Sequence, residues 1–195
     1  AASDVYKRQI LLYQGAGINI NRGAEELTLA MKFLDDTFLL FFVGSGDVID
    51  ELKQIVKENK LENKVLFTGK VPLEILQEYT RRAHLGFTLD KPICENYIYS
   101  LPNKLFDYVH AGVPILANRL MEVEYMISKY DIGAFIDSYE PSHIASKIQT
   151  IFSDSTIVER WKKNLPLAAK EVNWQNEEKS LLALYAEVAK DIARK

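Results

Sequence analysis

The stretch Ser-Leu-Pro-Asn-Lys-Leu-Phe-Asp-Tyr-Val-His-Ala-Gly-Val-Pro-Ile-Leu-Ala-Asn, residues 100–118, holds a helix, its stop and a strand in close succession. Pro102 suits the first position of a helix, where its missing N–H costs nothing. The helix is expected to run through Leu105, Phe106 and Val109 to Gly112, a natural stop. Val113–Ala117 is a short apolar run of strand type. Asp107 is the one charged side chain in the apolar stretch Leu105–Val109, and it lies one turn beyond Asn103 on the same helical face. A helix N-terminus presents free amides and a positive dipole end, which suit an anion such as a pyrophosphate. One helix could therefore hold a phosphate at its tip and a sugar hydroxyl along its flank.

The same alternation extends outward in both directions. Strand-type runs are expected at residues 10–14, 38–43, 65–68, 85–89 and 133–136. Between and after them lie helical patterns at residues 24–34, 48–59, 73–83, 122–129, 141–152 and 156–172, then a long amphipathic helix over 175–192. Residues 90–99 read as irregular. Apolar runs alternating with helices imply strands buried on both faces of a parallel sheet. Right-handed crossovers then give an α/β, Rossmann-like, doubly wound sheet of about six strands with helices on both faces, for which the expected order is 3-2-1-4-5-6. In such sheets ligands bind beyond the carboxyl ends of the strands. That rule places the loops after residues 14, 43, 68 and 89 at one rim, together with the Pro102 helix tip.

Composition narrows the function classes. The chain has 195 residues, 48% hydrophobic and 26% charged, with a net charge of −3, which is ordinary for one well-packed soluble domain. With no dense basic stripe, nucleic acid is not expected as the main partner. Cys94 is the one cysteine, which leaves no disulfide framework and no cysteine-rich zinc site. His84, His110 and His143 are scattered without zinc spacing and are assigned no catalysis. No apolar run approaches the roughly 18–20 residues of a membrane span, and the expected location is the cytoplasm. Residues 1–9 are polar, mixed and set apart from the fold. They read either as a disordered lead-in or as translated sequencing-adapter sequence at the end of a truncated gene.

Small residues Gly15, Ala16 and Gly17 directly after the first strand let backbone approach a ligand closely, although glycine also ends many strands. Arg22, entering the next helix, could pair with phosphate in a forked geometry. Gly44-Ser45-Gly46-Asp47 reads first as a tight turn feeding a helix capped by Asp47.

Residues 99–118 resemble the donor-binding signature of the retaining glycosyltransferases of the GT-B fold (group 1, family 4 type). In that family a Glu–seven residues–Glu motif ends in a helix, a Gly-x-Pro and a short strand. Asp107 falls at the second acidic position and Ala111-Gly112-Val113-Pro114 at the closing element. Tyr99 stands at the first acidic position, a departure from the pattern. Arg22-Gly23 resembles the family's basic residue and glycine that stabilise the departing diphosphate. A further arginine common in the family falls on Gly17 here, so either Arg22 would do more of the work or Lys70, Lys104 or Arg119 would share it. Gly44-Ser45-Gly46-Asp47 resembles the turn after the second strand. Thr68-Gly69-Lys70-Val71-Pro72 resembles the segment that holds the nucleobase through backbone groups. Trp174 and the closing helix resemble the C-terminal crossover, in which the last helix returns to pack on the other domain.

The resemblance implies that residues 10–195 form a nucleotide-sugar (donor) binding domain without the N-terminal acceptor domain. It implies donor contacts at Gly15, Ala16, Gly17, Arg22, Gly44, Lys70, Val71, Tyr99, Ser100, Leu101, Pro102, Asn103, Lys104 and Asp107, with Arg22 and Lys104 catalytic. Asp107 would accept hydrogen bonds from the ribose. Glu95 and Tyr97 are further candidates for contact with the donor sugar. The substrate implied is a nucleoside-diphosphate sugar such as a UDP-sugar, with no cofactor and no metal. The acceptor would be a glycan or lipid-linked molecule, as in bacterial cell-surface polysaccharide biosynthesis, with peripheral membrane association of the full-length enzyme. A GT-B nucleotide-sugar epimerase and a non-catalytic, flavodoxin-like nucleotide-binding module remain as alternatives.

Overall fold

Period-two alternation within short apolar runs builds a sheet whose two faces are both covered. The computed structural model describes residues 8–193. Its strands are β1 (Gln9–Gly15), β2 (Phe38–Gly44), β3 (Val65–Gly69), β4 (Leu85–Thr88), β5 (Ile115–Ala117) and β6 (Gly133–Phe135). They lie in the order β3-β2-β1-β4-β5-β6, and every neighbouring pair is parallel. This is the doubly wound, Rossmann-like order expected from the alternation, with β1 and β4 at the centre, where the direction of winding reverses.

The helices are α1 (Ala24–Ala30), α2 (Ile49–Glu58), α3 (Leu73–Arg82), α4 (Glu95–Ile98), α5 (Asn103–Ala111), α6 (Met121–Tyr130), α7 (Pro141–Ser153), α8 (Ser155–Glu171) and α9 (Trp174–Ala193). Leu11, Tyr13, Leu40, Phe42 and Phe87 join one buried cluster with α1, α2 and α7. Leu12, Val43, Ile115 and Ala117 join the other, with α5, α6 and some of α8. At about 25 cal/mol per Å² of buried apolar surface, these two layers supply most of the drive to fold. No helix among the described residues is long and apolar enough to cross a membrane.

Several boundaries differ from the sequence reading, each for a local reason. Pro102 is extended (φ −70°, ψ 139°) and precedes α5, which begins at Asn103. Residues 31–33 continue α1 only as tight turns, their amides bonding three residues back, as Met31 does to the Thr28 carbonyl (3.2 Å). The stretch 90–99 is not wholly irregular, because it contains α4. Asp47 does not cap a helix: Val48 precedes α2 with no side-chain cap, and Asp47 Oδ1 accepts the Ile20 amide instead (3.0 Å). Gln9 already belongs to β1, and the lead-in reading otherwise falls on residues 1–7, outside the described residues. Leu182, Leu184 and Tyr185 on α9 are exposed rather than packed into either cluster.

Candidate functional site

The carboxyl ends of β1 and β2 are joined through their backbones. The Gly15 carbonyl accepts the Ser45 amide (3.2 Å) and the Ser45 carbonyl accepts the Ile18 amide (2.9 Å). Gly44 has φ +135°, and a Cβ there would lie 1.8 Å from the Gly15 oxygen. Only glycine allows two loops to approach this closely. Beside them opens a cleft of 370 Å³ lined by Gln14, Gly15, Ala16, Val43, Gly44, Lys70, Val71, Leu76, Asn103, Lys104 and Asp107. A smaller cavity of 170 Å³ on the α3 side shares Gln14, Leu76 and Asp107 with it.

One wall of the cleft is the start of α5. The first amides of any helix lack intrahelical partners, and no side chain caps this one. Lys104 follows immediately, only 8% exposed, with its Nζ 4.2 Å from the centre of the Tyr13 ring. Burial lowers its pKa to about 8, against the opposing pull of the Asp90 carboxylate and with the help of the Arg22 charge. Asp90 is itself 1% exposed, and its Oδ1 lies 3.5 Å from Arg22 Nη1 without a hydrogen bond. Its backbone carbonyl is fixed by Asn118 Nδ2 and by the Tyr139 hydroxyl, each donating at 3.0 Å.

Arg22 is held from several directions. The Tyr13 hydroxyl donates to its carbonyl (2.7 Å), and its guanidinium lies 5.1 Å from the centre of the Tyr97 ring. Gly23 follows at φ +73°, where a Cβ would meet the Leu89 Cβ at 2.5 Å. This contact presses the start of α1 onto the end of β4 and so brings Arg22 to Asp90.

Asp107 projects from the flank of α5 into both cavities. Gln14 Nε2 donates to its Oδ2 (2.9 Å), and the Thr80 hydroxyl lies 2.7 Å from Gln14 Oε1. Desolvation raises the Asp107 pKa, while the Gln14 hydrogen bond and the nearby His110 pull it back. The cleft thus combines a cation, a positive helix end and a carboxylate acceptor, a set suited to a ligand carrying both phosphate and hydroxyl groups.

Residues 3–167 match the family model for glycosyl transferases group 1. The chain belongs to that family. No curated protein matches the sequence. Among solved structures, sucrose-phosphate synthase (tll1590) from Thermosynechococcus elongatus aligns with a TM-score of 0.80 at 20% identity, over 98% of this chain and 49% of that one. Anabaena Alr3699/HepE in complex with UDP and glucose aligns with a TM-score of 0.74 at 15% identity, over 100% and 50%. The C-terminal domain of the group 1 family protein LpcC from Francisella tularensis aligns with a TM-score of 0.69 at 15% identity, over 87% of this chain and 89% of that one. The chain thus spans about half the length of the first two, and the fold is that of one half of a GT-B glycosyltransferase.

In this glycosyltransferase domain the residues expected at the donor site separate into groups. Gly15, Ala16, Gly44, Lys70, Val71, Asn103, Lys104 and Asp107 come together in the cleft. Arg22 stands behind it, turned to Asp90. Gly17 packs beside the Asn19 side chain, and Pro102 leads into the cleft wall. Tyr99 is 58% exposed at the end of α4, and the Ser100 hydroxyl donates to the Tyr97 carbonyl (3.0 Å). Leu101 faces a separate groove with Phe106 and His110. Arg119 is drawn away by Glu124 and by the Phe135 ring, 4.5 Å from its guanidinium carbon, so Lys70 and Lys104 are the extra cations at the cleft. Sequence reasoning missed Gln14, Thr80 and Asp90. The available signal was a lone polar residue closing the apolar runs of β1 and β4.

Proposed function

We propose that this group 1 glycosyltransferase domain binds a nucleoside-diphosphate sugar in the rim cleft. It would act as the donor-binding half of a retaining enzyme that passes a hexose or related sugar to a glycan or lipid-linked acceptor. The observation that carries this reading is the 370 Å³ cleft that sets Lys104 and the open start of α5 beside the Asp107 carboxylate. In it the diphosphate lies against the first amides of α5 and Lys104, with Gly15, Ala16 and Gly44 allowing close backbone approach. Asp107, ionised, accepts hydrogen bonds from the ribose, and Lys70–Val71 border the base.

When the bond from the anomeric carbon to the diphosphate oxygen breaks, the electron pair leaves with the diphosphate. Lys104 and the helix amides, which border the cleft, would stabilise that developing charge, a preorganised electrostatic effect. Arg22, paired with Asp90 outside the cleft lining, would join them by exchanging that carboxylate for the diphosphate, so that cations and amides supply the charge in place of a metal ion. A neighbouring structure that holds UDP makes uridine the first base to test. The acceptor would come from an N-terminal domain across a cleft, in a cytoplasmic enzyme that associates peripherally with a membrane.

Calorimetric titration with UDP, GDP, ADP and UDP-sugars tests the reading. One diphosphate is expected to bind selectively and weakly, and both Arg22→Ala and Asp107→Ala should reduce its affinity about tenfold. Turnover by the isolated chain should be slight. No binding to any diphosphate, or vigorous transfer without a second domain, would overturn the proposal.

A further inference from the structure

Gln14 is a costly residue in its place. It ends the apolar run Leu11-Leu12-Tyr13 on the central strand and is 1% exposed, where an aliphatic side chain would continue the run without any polar group to satisfy. A buried amide is tolerated only if its donor and acceptor both find partners. Here Oε1 faces the hydroxyl of Thr80, 2% exposed, at 2.7 Å, and Nε2 donates to Asp107 Oδ2 at 2.9 Å. An ionised carboxylate can only accept, so the amide must present nitrogen to Asp107 and oxygen to Thr80. The Thr80 hydroxyl has one proton for two acceptors, Gln14 Oε1 and the Leu76 carbonyl at 2.8 Å, and shares it between them. The chain Thr80–Gln14–Asp107 links α3, β1 and α5, and it occupies one carboxylate oxygen while leaving the other for the cleft.

From this geometry we infer that Gln14 is the positioning residue for Asp107, and that it sets the preference of the site for ribonucleotides over 2′-deoxyribonucleotides. The inference rests on the donor-cleft reading given above. A carboxylate free to rotate on a helix flank must be ordered before it can take a diol, at a cost in rotamer entropy. Gln14 removes that cost in advance. The hydroxyl that benefits belongs to the sugar of the nucleotide, so the effect should fall on ribose recognition and leave the diphosphate contacts unchanged.

The test is a calorimetric comparison of UDP, GDP and ADP with their 2′-deoxy counterparts on the whole chain. The ribonucleoside diphosphate that binds should exceed its deoxy form by about tenfold or more, the worth of one charge-assisted hydrogen bond. Gln14→Met, which keeps the length and loses the amide, should erase most of that ratio by weakening the ribonucleotide alone. In an Asp107→Asn background, Gln14→Met should change the ratio no further. Thr80→Val, which frees the amide to turn, should lower the ratio by a smaller factor, and it carries the test if Gln14→Met fails to melt cooperatively. A ratio unchanged in these variants, an equal weakening of both nucleotides, or a further fall in the Asp107→Asn background would overturn the inference. Failure of every diphosphate to bind the unaltered chain would instead overturn the donor-cleft reading, and this inference with it.

Discussion

The two ends of the sheet solve the same solvation problem in opposite ways. At the amino end of the strands, polar groups find partners at or near the surface. His84 Nδ1 accepts the Ile10 amide (2.9 Å), Thr37 bonds Asp35, Lys64 reaches Asp36 (3.3 Å), and Arg8 donates to the Asn63 carbonyl (3.0 Å). Around the carboxyl end, charged and polar groups are buried and some of their atoms make no hydrogen bond. Among the described residues, the buried side-chain atoms lacking a hydrogen bond are Arg22 Nε, Glu25 Oε2, Glu26 Oε2, Thr88 Oγ1 and Asp90 Oδ1. All of them lie on or next to the segments that follow β1 and β4. Burying an atom without a hydrogen bond costs stability, and among the described residues that cost falls around the carboxyl end. The lesson is that the end proposed to bind the donor is also the end where buried polar atoms lack hydrogen bonds.

The sharpest way to break this contrast is a pair of glycine substitutions. Gly44→Ala puts a methyl 1.8 Å from the Gly15 oxygen, whereas Gly112→Ala at the far end of α5 meets nothing within 4 Å. Both have positive φ, so each introduces a strain of about 1 kcal/mol. Gly44→Ala must in addition push apart the backbone-joined β1 and β2 loops, and it should cost about 3 kcal/mol or more in urea unfolding. Similar losses at the two positions would show that the contact between the β1 and β2 loops does not require glycine.

A second test asks whether the rim keeps charge at the expense of stability. Lys104→Met should abolish most diphosphate binding, with Tm at pH 7 unchanged or higher, since replacing a buried charge by an apolar side chain of similar volume is often neutral or favourable. The sign of the pH effect follows from the lowered Lys104 pKa. Its folded-state pKa is about 8 against 10.5 for the free side chain, so the unfolded chain binds more protons between those values. Stability therefore rises with pH through that window, by about 3 kcal/mol relative to Lys104→Met, while diphosphate affinity falls above about pH 8. Parallel pH curves for the two proteins would contradict the assignment.

The smallest effect is expected at the opposite end. Burial, then the Lys162 charge, lowers the His84 pKa, so the unfolded chain takes up a proton first as pH falls below 6.5. Stability should decline gently there, and His84→Asn, which keeps an acceptor for the Ile10 amide, should flatten the slope in acid melts.

The fold was legible because it rests on local pattern. Runs such as Phe38–Val43 and the helix preceding Gly112 announce themselves within a dozen residues, and the winding rule supplies the order. The cleft was legible where it depends on the chain itself, as at the start of α5. It was not legible where it depends on pairing across the molecule. Gln14 meets Thr80 and Asp107 at separations of 66 and 93 residues, and nothing near position 14 records those partners. Asp90 likewise reads as the start of a loop until Gly23 brings Arg22 against it. Asp47 misled for the converse reason, because its local capping pattern lost to a bond with the neighbouring loop.

The backbone bonds between the β1 and β2 loops have a kinetic consequence. Because Gly15, Ile18 and Ser45 already satisfy one another, no segment there has to be ordered when a ligand arrives. Ligands that share a diphosphate should then associate at similar rates, and the differences among them should reside in how long each one stays.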